Sequence, residues 1–183
     1  MGHRLSKIYT RSGDAGTTGL ANGSRVAKDS SRMQAIGETD ELNSFIGAVL
    51  VNDVPEDVRE CLTEVQHALF DLGGELAVPA AETITGDYVA ALERTLDRLN
   101  ADLPPLKEFI LPGGNAAAVA CHQARAVCRR AERRLVSLAR EERINEESRK
   151  YVNRLSDLLF VVGRILARRS GSEVYWDPRR KRG

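Results

Sequence analysis

Between residues 121 and 140 the chain places six arginines against a single acid, Glu132. At about 100° of helical rotation per residue, Ala117, Cys121, Ala124, Cys128, Ala131, Leu135 and Leu138 fall on one narrow face suited to packing. His122, Arg125, Arg129 and Glu132 form a second line directly beside it; Arg133 lies at its outer edge, and Arg130 and Arg134 point further round. Arginines bordering a core lose part of their water, which is costly unless an acid or an anionic ligand meets them. The guanidinium fork matches carboxylate or phosphate oxygens, and Glu132, one turn beyond Arg129, is placed to hold that side chain. The same spacing also describes solvated arginines on an ordinary surface helix with a minor Glu132 salt bridge, and His122 alone reads as structural.

The second basic region is residues 1 to 32, with Arg4, Lys7, Arg11, Arg25, Lys28 and Arg32 against Asp14 and Asp29. Its GDAGTTG run has the character of a phosphate nest. Glycines permit close backbone approach, neighbouring N–H groups converge on an anion, and Thr10, Thr17 and Thr18 add hydroxyls. It is not a Walker A loop, because no lysine follows Gly19, nor a dinucleotide fingerprint, because no βαβ context surrounds it. Two further polar positions could face the arginines. Asp40, one turn from Ser44, is placed to pair with an arginine of the fourth helix or simply to favour a helix N-terminus near Gly37 or Thr39. Asn153 shares a side with Asp157 and Phe160, opposite the Leu155 and Val162 stripe; it suits a directional bond to a ligand or to a neighbouring helix.

These groups need a scaffold, and apolar periodicity predicts five helices: 34–51, 55–77, 86–101, 114–140 and 145–169. The last is apolar over much of its circumference, as a central bundle helix would be. Residues 1–32 read as a long segment without strands, a binding loop or a disordered arm, and Pro104, Pro105, Pro112, Gly113 and Gly114 bracket a short linker. SEVYW is a candidate strand or extended tail before basic DPRRKRG. The expected fold is an all-α five-helix bundle with a glycine-rich N-terminal nucleotide-binding loop. It is one domain over 1–183, with loop 1–32, bundle 33–170 and tail 171–183.

Composition narrows the function. The 183 residues are 42% hydrophobic with a formal net charge of +1, which argues against wholesale nucleic-acid binding. No run of about 18 apolar residues suggests a membrane span. Gly2 and Ser6 formally fit a myristoylation pattern, but nothing else suggests a membrane and no signal peptide follows. Cys61, Cys121 and Cys128 lack metal-ligand spacing and read as reduced core residues of a cytoplasmic protein. A di-metal bundle wants two Glu-x-x-His helices, and only Glu64 with His67 fits. The Arg179–Arg182 tail, near Tyr175 and Trp176, is too small a surface for RNA and reads as a terminal extension. A non-catalytic nucleotide sensor on a helical scaffold is the rival from another functional class.

Taken together, KIYTRSGDAGTTGL at 7–20, RVAKD at 25–29, GETDELNSFIG at 37–47, FILPGG at 109–114, HQARAVCRRAER at 122–133 and YVNRLSDLLFVVGR at 151–164 resemble the PduO-type ATP:cob(I)alamin adenosyltransferases. The resemblance implies a homotrimer with ATP and a corrinoid bound at each subunit interface. It implies that Thr10, Arg11, Gly13, Asp14, Gly16, Thr18 and Lys28 order around ATP. Arg125, Arg129, Glu132 and Asn153 would complete the nucleotide and Mg2+ site, with Glu132 toward the metal and Arg125 paired to Asp40 of an adjoining subunit. Phe109 would lie against the corrin ring and keep the lower axial position of cobalt empty. The implied reaction moves the 5′-deoxyadenosyl group of ATP to cob(I)alamin, giving adenosylcobalamin and triphosphate. A separate corrinoid reductase or electron donor is implied as a partner, and an adenosylcobalamin-dependent acceptor enzyme is a further one. Cob(I)alamin is itself a strong nucleophile, so the absence of a serine triad or cysteine nucleophile motif agrees with this chemistry.

Overall fold

The computed structural model describes residues 9–169, 171 and 173–180. His3, the Gly2/Ser6 pattern, Arg4, Lys7 and the end of the basic tail lie outside the described residues. Five helices form the bundle: α1 (Ser31–Leu50), α2 (Glu56–Ala77), α3 (Gly86–Asn100), α4 (Ala116–Glu141) and α5 (Glu146–Arg168). Two short strands precede them, β1 (Thr17–Gly19) and β2 (Arg25–Ala27), paired antiparallel with Thr18 opposite Val26.

Local chemistry sets the helix starts. Ser30 caps α1, its hydroxyl accepting from Met33 N. Asn115 caps α4 by accepting from Ala118 N at 2.9 Å, while its own amide donates to Leu166 O at 2.7 Å and fastens that start to α5. Asn145 caps α5. Expected boundaries agree to within about three residues. α1 is the largest departure: it begins at Ser31 and runs unbroken through Gly37 and Thr39, where a start or bend was expected. Asp40 therefore lies in the third turn, beyond the reach of the helix N-terminus. The hairpin is a second departure. Three-residue strands leave no periodicity to read, and backbone pairing across Gly19 and Arg25 supplies the order.

Packing runs α2, α1, α4, α5, α3 around the bundle. α5 is the most enclosed element, with Tyr151, Val152, Leu155, Leu158, Leu159, Val162 and Leu166 all buried. It meets α4 closely because position 163 is glycine: a Cβ there would come within 3.2 Å of the His122 ring. Cys121 Sγ donates to Leu159 O at 3.1 Å and Cys128 Sγ to Val152 O at 3.3 Å, so two of the three free thiols stitch α4 to α5. α2 and α3 face each other across a cavity of about 520 Å³, walled by Asp57, Glu64, Asp71 and Asp87 with Arg98 at its side. No helix among the described residues is long and apolar enough to cross a membrane.

Candidate functional site

Two of the four residues on the line beside the α4 packing face, Arg129 and Glu132, open onto a pair of adjoining cavities. One, about 360 Å³, is lined by Arg129, Glu132, Arg133, Val136, Ser137 and Arg140. The other, about 210 Å³, shares Glu132 and Val136 and adds Glu146, Arg149, Lys150, Asn153 and Arg154 from α5. An anion belongs here rather than in the larger α2/α3 cavity, whose acidic wall would repel it.

Within this pair of cavities Glu132 does not hold Arg129, as the spacing suggested. Its Oε1 accepts from Asn153 Nδ2 at 2.8 Å. Asn153 Oδ1 accepts in turn from Arg154 Nη1 at 2.8 Å, and Arg154 is tied to Glu93 of α3 at 2.8 Å. This relay fixes the amide orientation of Asn153 and leaves the Arg129 guanidinium exposed. Of its two sequence readings, Asn153 shows the bond to a neighbouring helix, and it also lines a cavity.

Arg125 is a different case. It is half-buried, with its guanidinium 5.3 Å from the centre of the Phe160 ring, a cation–π contact. Its Nε is buried without a hydrogen-bond partner among the described residues, and so is His122 Nε2. Burial pushes the His122 pKa below its ordinary value, and the neighbouring Arg125 charge pushes it the same way, so the ring is neutral. Asp40 does not supply the missing counter-charge within the chain. The ion pairs between α1 and α4 run instead from Arg130 to Glu38 and Glu41, with Arg134 3.8 Å from Glu38, while Asp40 stands exposed.

The N-terminal loop is organised by Arg25, a residue that sequence reasoning counted only as charge. Its guanidinium donates to Ser12 O at 2.7 Å, Thr17 O at 3.1 Å and Thr17 Oγ1 at 2.7 Å, drawing the segment 12–17 into a curl. Lys28 lies across that curl, against Gly13; a Cβ at position 13 would stand 3.0 Å from Lys28 Nζ and 3.3 Å from Thr17 O. Lys28 N donates to Gly16 O at 2.9 Å. Thr10 Oγ1 lies 2.7 Å from Ser12 Oγ, and Arg11, at φ +61°, sits 5.5 Å from the Tyr9 ring. Arg11, Asp14 and Gly16 are exposed and Thr18 is half-buried. The hairpin docks on the end of α2 through Ala21 N to Ala77 O at 3.0 Å. Ser31 Oγ reaches Glu141 at 2.6 Å, which sets the loop at the C-terminal end of α4.

One chain therefore brings Arg129, Glu132 and Asn153 together and holds the loop residues as a separate group. Phe109 lies before the start of α4, and Arg129 is thirteen residues into that helix, about 20 Å along its axis. Among the described residues no three His, Cys, Asp or Glu side chains converge as a metal cluster.

A bundle with guanidiniums gathered around Glu132 and Glu146, and a glycine-threonine loop held as a separate group, defines a helical protein built to handle a polyphosphate. A sequence profile of the Cobalamin adenosyltransferase family matches residues 8–166. The chain belongs to that family, and it is an enzyme that transfers the adenosyl group of ATP to a corrinoid, forming adenosylcobalamin. It is 57% identical to a cobalamin adenosyltransferase of Cupriavidus metallidurans, over 99% of this chain and 100% of that one. It is 46% identical to a corrinoid adenosyltransferase of Bacillus subtilis, over 90% of this chain and 89% of the other. The solved structure of a phenylalanine-to-histidine variant of a PduO-type ATP:corrinoid adenosyltransferase from Lactobacillus reuteri, complexed with cobalamin and ATP, superposes with a TM-score of 0.89. The two are 35% identical, over 94% of this chain and 97% of the other.

Proposed function

We propose that the transfer takes place at sites completed between the subunits of a homotrimer, in a single cytoplasmic adenosyltransferase domain spanning 1–183. The observation that carries this reading is the desolvated guanidinium of Arg125, whose Nε lacks a partner while Asp40 stands exposed on α1. An adjoining copy supplying Asp40 to Arg125 answers that unpaired charge. The separation of Phe109 from Arg129 supports it further, since an adenosyl group and a corrin ring must meet within bonding distance.

At such a site Thr10, Arg11, Gly13, Asp14, Gly16, Thr18 and Lys28 close around ATP. Arg11, Lys28, Arg125 and Arg129 neutralise its triphosphate, and Asn153 orients the nucleotide. Glu132 accepts from Asn153 and lines both cavities. A Mg2+ ion held through one carboxylate plus phosphate oxygens fits that donor set, and when bound it would supply charge neutralisation at the triphosphate. Phe109 lies against the corrin and keeps the lower axial position of cobalt empty, so that a separate electron donor can reduce four-coordinate cob(II)alamin. Cob(I)alamin then attacks the 5′ carbon. The Co–C bond forms as the bond from C5′ to the α-phosphate oxygen breaks, and triphosphate leaves with that electron pair. No side-chain base is required; the protein contributes alignment and electrostatic stabilisation of the leaving group.

Incubation with ATP, Mg2+ and chemically reduced cobalamin should give Co–C bond formation, followed by absorbance, with one triphosphate per adenosylcobalamin. ATP binding with neither product would establish the nucleotide-sensor reading instead.

A further inference from the structure

The segment Glu173–Trp176 is fastened to the bundle rather than trailing from it. The Glu173 carboxylate is fully enclosed, 2.6 Å from Arg164 Nε, 3.2 Å from Arg168 Nη1 and 2.9 Å from Tyr175 Oη. Burial would raise its pKa, but hydrogen bonds from Arg164, Tyr175 and Arg168 outweigh that and hold the group ionised. Arg164 is only 3% exposed, and its Nη2 donates to Pro104 O at 2.8 Å. One buried ion pair thus ties together α5, the proline linker and the C-terminal segment.

From this anchor the segment runs antiparallel to the linker. Leu111 N donates to Val174 O at 2.8 Å and Trp176 N to Phe109 O at 2.7 Å, on either side of the Ile110–Tyr175 bridge. This register brings the rings of Phe109 and Trp176 edge to face, with centroids 6.3 Å apart and planes at 68°. Phe109 is otherwise 78% exposed. An aromatic side chain that open on a linker has little to choose one rotamer over another, and the Trp176 edge supplies the choice.

We propose that the strap Glu173–Trp176 is the positioning device for Phe109, with Trp176 setting the orientation of its ring toward the corrinoid. The inference rests on the reading that Phe109 faces the corrin. A ring that excludes an axial ligand does so only while held in place, because a mobile ring admits the ligand for part of the time.

The test compares wild type with F109A, W176A and W176F, each incubated anaerobically with ATP and cob(II)alamin. The readouts are the four-coordinate cobalt signal by electron paramagnetic resonance and ATP affinity by calorimetry. F109A should abolish the signal. W176A should lower the four-coordinate fraction roughly two- to tenfold, the range over which one edge-to-face pair shifts an equilibrium, and W176F should retain more of it than W176A. ATP affinity should hold in all three. A wild-type fraction in W176A while F109A loses the signal would overturn the proposal, as would a loss of ATP affinity in step with the signal, which marks general damage. A wild-type signal in F109A would sink the Phe109 reading itself, and the strap's role with it.

Discussion

Arg129 and Arg125 lie one turn apart yet occupy different electrostatic worlds. Arg129 is exposed beside a carboxylate already engaged by Asn153, so its charge is free for a ligand; Arg125 is partly stripped of water above Phe160. If Arg129 stabilises the triphosphate as it leaves, Arg129→Ala should cut adenosyl transfer by about 10²–10³-fold, the usual loss on deleting one preorganised donor. Helix content by circular dichroism should stay at the wild-type level, and near-normal turnover would refute the role. The line His122, Arg125, Arg129, Glu132 was legible because helical spacing fixes which residues are neighbours. The partner of Glu132 was not. Whether it turns to Arg129 on its own helix or to Asn153 on α5 depends on how two helices dock, which one-dimensional spacing does not encode. Arg25 was hidden for a related reason: its four side-chain bonds go to Ser12 and Thr17, and none leaves a pattern in residue type.

At the scale of elements, the α4–α5 contact depends on an uncharged His122 against Gly163. Desolvation favours the neutral ring and Arg125 opposes the cation, so the folded pKa lies below the ordinary value of 6.5. The unfolded chain then takes up the proton first as pH falls. This contribution to stability is whole above about pH 6.5 and is lost as the pH drops from there toward the folded pKa. Thermal unfolding followed from about pH 7.5 to 5.5 should show a falling midpoint, and His122→Phe should flatten that slope. All five helices were legible, because each carries apolar residues at helical intervals over fifteen residues or more. The β1–β2 hairpin was not, since a strand of three residues offers a single alternation. The start of α1 was missed because Ser30 and Arg32 were read as part of the loop, whereas Ser30 is its cap and Arg32 is buried against Glu142 and Leu76 O.

At the scale of the molecule, the proposed pairing of Arg125 with Asp40 of an adjoining copy is what would distinguish an assembly from one chain. Asp40→Ala and Arg125→Ala should each be nearly inactive alone, and co-assembly of the two should restore activity at up to about a third of the sites of each mixed trimer, because one of its three interfaces joins an intact Asp40 to an intact Arg125. Mixed trimers isolated with two affinity tags and assayed for turnover check this; an absence of rescue would place the pair elsewhere. Folding motifs announced the bundle, but nothing in a single sequence states which surfaces a second copy covers. The arrangement of the helices has one more effect. Asp57, Glu64, Asp71 and Asp87 wall the α2/α3 cavity, while Arg129, Arg133 and Arg140 line the α4 cavity elsewhere on the bundle. With a formal net charge of only +1, the protein exerts little overall pull on a polyanion, yet this segregation gives the two cavities local fields of opposite sign. A nucleotide triphosphate diffusing nearby is pushed away from the acidic cavity and steered toward the arginines before contact, an effect that fades as ionic strength rises.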